Sequence, residues 1–99
     1  MEEIEEIQNF VVMVNTRSSN SKEYKKMKIE ELSTEIRNAI KFQQESFQRI
    51  EEFEEKGIQH DLVKYAKMIC KNTTEREILK IQEIYLEKIE KEYLKSNKK

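Results

Sequence analysis

One glycine and no proline in 99 residues leave this chain few ways to turn sharply. Hairpin loops and tight turns draw on glycine and proline repeatedly, so a sheet-rich fold of this length is disfavoured from the outset. Charged residues make up 39% and hydrophobic residues 36% of the chain, the balance of long amphipathic helices. The apolar share is too high for a disordered segment, and the length suits one domain.

Apolar spacing supplies the elements. Ile4, Ile7, Val11 and Val14 recur at intervals of 3, 4 and 3, which predicts a helix over residues 2–15. The run Phe10–Val14 can also be read as a strand, because Val and Phe favour strands. Residues 15–21 (NTRSSNS) read as a loop. Asn20 and Glu23 then form a capping pair that opens a long helix reaching Lys56. Its stripe comprises Ile29, Leu32, Ile36, Ala39, Ile40, Phe47, Ile50 and Phe53, interrupted at Gln43. Gly57 is placed to take the left-handed conformation, with Ile58 folding back on Phe53. A third helix is expected over Asp61–Lys71. Asn72-Thr73-Thr74 breaks it, and Thr74 with Glu77 caps a fourth helix that runs to about Lys95.

The expected fold is therefore all-α, a small bundle of about four helices with one long central helix. Residues 1–95 form one domain and 96–99 a basic disordered tail. A continuous helix over 22–56 would be about 52 Å long, more than any of its neighbours covers alone. Either it bends, or a second chain covers part of its stripe as in a coiled-coil dimer.

The same composition excludes most chemistry. His60 and Cys70 are the only His and Cys, too few for a closed zinc site and too far apart along a helix for a Cys–His pair. A single glycine rules out a phosphate-cradling loop. No catalytic, cofactor-binding or metal-binding residue is expected, and the chain is not expected to be an enzyme. A lone cysteine gives no internal disulfide and suggests a reducing, cytoplasmic setting. The longest apolar run has five residues, so no membrane insertion is expected. A net charge of −1 sets up no general attraction for nucleic acid. Basic clusters at Lys22–Lys28 and Lys64–Lys71 alternate with acidic ones at Glu2–Glu6 and Glu51–Glu55, which suits helix-to-helix complementarity.

Two segments resemble nucleic-acid-binding families. Tyr85, Ile89 and Tyr93 give the pattern Y-x-x-x-I-x-x-x-Y, and Glu55–Ala66 contains a glycine-led helix. Together they resemble the DnaD-type domain of replication initiators from Gram-positive bacteria and phages. That family carries Trp where this chain has Tyr93, and the resemblance covers about 40 residues. It implies DNA contact through Tyr85, Ile89 and Tyr93. The N-terminal half resembles the order of a ribbon-helix-helix repressor if Val12–Val14 form a strand. That resemblance implies base contacts from Met13, Asn15 and Arg17.

The leading expectation from the residues themselves is a non-catalytic helical adaptor or inhibitor. It would bury an apolar helix face against a protein partner, with self-association as a second outcome. Phe42, Phe47 and Phe53 on the long helix and Tyr85, Leu86 and Tyr93 near the C-terminus are its expected contacts, because large aromatic residues dominate interface energetics. The abundance of Lys, Glu, Ile and Asn resembles the composition of low-GC Gram-positive bacteria and their phages and plasmids. Small helical bundles there include bacteriocin immunity proteins and phage-encoded inhibitors.

Overall fold

The computed structural model describes residues 2–19 and 23–97. They form three α-helices and one 3-10 turn: α1 (Glu2–Ser19), the turn Tyr24–Lys26, α2 (Ile29–Glu55) and α3 (His60–Asn97). No strand occurs among the described residues. The all-α expectation holds, but the count of four helices does not. The expected third and fourth helices are one.

α3 spans 38 residues, about 57 Å, and α2 spans 27, about 40 Å. The two run antiparallel as a hairpin inside a rod of 65 × 20 × 17 Å. The hairpin turn is the Gly57 ending read from the sequence. Gly57 has φ +79°, and the Ile58 amide donates to the Phe53 carbonyl (3.2 Å) while the Gly57 amide donates to that of Glu54 (3.0 Å). These are the two bonds of a Schellman ending. Ile58 is thereby tucked into the core.

The break expected at Asn72-Thr73-Thr74 is absent because Thr74 is otherwise engaged. Its hydroxyl donates to the Cys70 carbonyl (2.7 Å), one turn back along the same helix. A threonine can either cap a new helix or bond back along an existing one, and here it does the latter. The side chain of Gln43 donates its Nε2 to the same Thr74 hydroxyl oxygen (2.8 Å). Ser46 and Cys70 are buried beside this pair, so a polar waist crosses the hairpin where the apolar stripe of α2 is interrupted.

The waist divides two cores. Below it, toward the hairpin turn, Ile7, Phe10, Val11 and Val14 of α1 close over Ile50 and Phe53 of α2 and over Val63, Ala66 and Cys70 of α3. The Phe10 and Phe53 rings meet edge to face at 5.8 Å. Above the waist, Leu32 and Ala39 face Ile78, Ile81 and Ile84, with Tyr24 from the 3-10 turn buried among them and Met27 packed against the edge. One half of the rod is thus three helices thick, whereas the other is a helix pair with a single aromatic lid.

Further expectations change. α1 continues through residues 15–19, where a loop was expected. Polar side chains on its solvent face do not break it, and Arg17 is held with its guanidinium 4.0 Å from the centre of the Phe42 ring. The same helix includes Val12–Val14, so the strand of the ribbon-helix-helix reading does not form. α2 starts at Ile29, not near residue 22; Asn20 of the expected capping pair lies outside the described residues. The backbone amide of Lys28 reaches the Glu31 carboxylate (3.5 Å), and Glu30 and Glu31 place negative charge in the first turn. α3 includes Ser96 and Asn97, while Lys98 and Lys99 of the expected tail lie outside the described residues.

Candidate functional site

α3 carries two apolar stripes, and only one is used internally. The inner stripe includes Val63, Ala66, Cys70, Ile78, Ile81 and Ile84, all buried against α1, α2 or the 3-10 turn. The outer stripe runs at alternating intervals of 3 and 4 through Tyr65, Met68, Asn72, Glu75, Leu79, Gln82, Leu86, Ile89 and Tyr93. Its apolar members are open to solvent: Leu79, Leu86 and Tyr93 are 59%, 61% and 65% exposed. A single exposed leucine means little, but a helical row of them beside a cleft forms a patch.

The cleft lies between the paired helices above the waist. Ser33 and Ile36 of α2 and Gln82, Tyr85 and Leu86 of α3 line a space of about 440 Å³. Ile40 is partly exposed on α2, one turn beyond Ile36. A second cleft, of about 330 Å³, is lined by Glu23, Tyr24, Lys25, Lys26, Lys80 and Ile84 under the 3-10 turn. Lys88 donates to the Met27 carbonyl, which places the start of α2 near the level of Lys88. Beyond that level α3 continues alone from Ile89 to Asn97, and residues 91–96 are exposed all round.

The residues singled out from sequence therefore separate into groups. Phe53 is 2% exposed and belongs to the chain's own core. Phe42 and Phe47 are half-buried and pack against that same core. Tyr85 is half-buried in the cleft, and Leu86 and Tyr93 stand outside. Leu79, Ile89 and Leu94 join them at the surface, although the sequence reading assigned them no contact with a protein partner. The sequence signal for Leu79 is its place in the heptad Leu79–Leu86–Tyr93, two members of which were already expected contacts.

Of the residues tied to DNA contact, Asn15 accepts a long hydrogen bond from Thr73 (3.4 Å), and Arg17 lies on Phe42. Tyr85, Ile89 and Tyr93 follow one another along α3, with Glu87, Glu90 and Glu92 interleaved among Lys88 and Lys91. His60 heads α3 exposed, and Cys70 is fully buried further along it. Burial pushes the Cys70 thiol above its ordinary pKa despite a hydrogen bond with Ser46. Among the described residues no three His, Cys, Asp or Glu side chains are grouped to hold a metal ion, and no helix is long and apolar enough to cross a membrane. No family model, curated protein or solved structure matches the chain.

Among the described residues, Tyr24 is the strongly shifted group. Burial first, then the nearby Glu77 carboxylate that its hydroxyl bonds (3.3 Å), pushes its pKa up to about 12. The folded state holds the phenol proton more tightly than the unfolded chain, whose tyrosine titrates near 10. The stabilisation is complete below pH 10 and is lost as pH rises towards 12. The parent is expected to lose roughly 2 kcal/mol in that window relative to Tyr24→Phe. Urea unfolding of both proteins at pH 9 and pH 12 checks this; a constant difference between them would contradict it.

Proposed function

We propose that this chain is a non-catalytic interaction module that buries the outer face of α3 against a protein partner. The observation that carries the reading is the unshared outer stripe. The hairpin seam is already filled by the inner stripe, and Leu79, Leu86, Ile89 and Tyr93 lie outside both buried clusters. Covering apolar surface of this kind is the main driving force of protein association. An adaptor or an inhibitor would use it in the same way.

A protein suits this surface better than a nucleic acid does. Contact with phosphates needs a surplus of basic side chains, whereas the exposed end of α3 from Glu83 to Lys95 has four acidic residues and three basic ones. The aromatic and aliphatic residues there offer area without a matching positive field.

In cells that produce the protein, photoreactive benzoylphenylalanine replacing Leu86 should cross-link to a polypeptide. The same group replacing Glu51, exposed on α2, should not. Equal labelling from both positions, or none from position 86, would overturn the proposal.

A further inference from the structure

We infer that the polypeptide covering the outer face of α3 is a second copy of this chain, packed antiparallel along α3 with a twofold axis near Leu79. This rests on the reading of that face as an interaction surface and specifies its occupant.

The first argument is symmetry. Positions 65, 72, 79, 86 and 93 of the outer stripe are seven apart, so the row maps onto itself when reversed about Leu79. A twofold interface requires such self-complementarity, since each residue meets its mirror position in the other copy. Reversal sets Leu79 against Leu79 at the axis and Tyr65 against Tyr93 at each end. Met68 falls level with Ile89, and Glu75 with Gln82, which can donate to its carboxylate. Asn72 falls opposite Leu86 on both sides of the axis, and polar positions in such a seam fix register at a cost in stability.

The second argument is charge. From His60 to Arg76, α3 carries Lys64, Lys67, Lys71 and Arg76 against Asp61 and Glu75. From Glu77 to Glu92 it carries five glutamates against Lys80, Lys88 and Lys91. A parallel pair would lay like halves together, whereas an antiparallel pair lays basic on acidic twice. Arg76 then comes beside Glu83 of the second copy, on the same flank of the pair. Complementary flanks of this kind choose orientation more than they supply affinity.

The third is the overhang. The nine residues Ile89–Asn97 project past the start of α2 with Ile89, Tyr93 and Leu94 exposed. So short a helix is marginal by itself in water. In the antiparallel pair it lies along the first half of the partner's α3, where Tyr65 and Met68 are 50% and 55% exposed.

The test uses the full chain in sedimentation over a dilution series, with cysteine cross-linking to fix orientation. The expected result is a dimer that is lost across the whole series in Leu79→Glu, with a circular dichroism spectrum that stays helical and weakens by no more than the nine-residue overhang contributes. Leu79→Cys should form a disulfide-linked dimer, because the two Cα atoms approach at the axis. Tyr93→Cys should form none, but Tyr65→Cys combined with Tyr93→Cys should. Cys70, fully buried, stays out of reach. A monomer at every concentration, a dimer that survives Leu79→Glu, or efficient linkage through Tyr93→Cys alone would each overturn the inference. A monomeric chain that still cross-links another protein through position 86 would remove the second copy and leave the interaction surface standing.

Discussion

Glu75→Pro is expected to destabilise the fold by about 3 kcal/mol or more, whereas Glu75→Ala changes it by less than about 0.5 kcal/mol. Residue 75 is exposed, so neither substitution disturbs the core. The difference lies in the backbone. Inside a continuous α3 the amide of residue 75 bonds the carbonyl of Lys71, and a proline ring both removes that bond and collides with the same carbonyl. Had a new helix begun with Thr74 as its cap, residue 75 would be its first position, where proline is welcome. Urea unfolding of the two variants therefore separates one 38-residue helix from two shorter ones. Equal stability of the two would mean that the chain turns at Thr74.

The second large effect is expected above the waist. Ile81 is fully buried, and Ile81→Ala should cost about 2–5 kcal/mol from lost transfer energy and the space left behind. Little can move in to fill that space. The core there has one helix on each side and Tyr24 as its lid, without the third helix that backs Phe53 and Ile50. The loss should appear as a lower denaturation midpoint with an unchanged slope.

Much of this architecture was legible in the residues. The end of α2 was, because a left-handed Gly57 followed by a hydrophobic residue has few other uses. The inward stripe of α1 was legible in three of its four members: Ile7, Val11 and Val14 are buried, whereas Ile4 is exposed. Continuity of α3 was not. Thr74 satisfies the pattern of a cap, and only its burial against Gln43 settles that its hydroxyl bonds backwards. Gln43 could be recognised as an interruption, but its partner lies 31 residues away on another helix.

Joining the two C-terminal segments also changed the accounting of apolar surface. With the C-terminal half read as two helices, neither was long enough to cover the second helix, so the expected contacts included its phenylalanines as well as Tyr85, Leu86 and Tyr93. With one continuous α3 beside it, α2 is matched along its whole length, and Phe53 is enclosed. The surplus that remains lies on the outer face and free end of α3. Sequence periodicity alone does not show this, because Ile81 and Leu86 both belong to helical apolar rows. Which row is inside depends on where α1 and α2 sit.

The most direct measurement compares those two rows by urea unfolding, at a dilution where the chain is monomeric. Leu86→Ala should stay within about 0.5 kcal/mol of the parent while Ile81→Ala loses its several kcal/mol. That outcome would leave the outer stripe free of any internal duty and available to a partner. If Leu86→Ala instead costs as much as Ile81→Ala, Leu86 is buried in the chain's own fold, and the account of α3 as a helix with one face to spare is wrong.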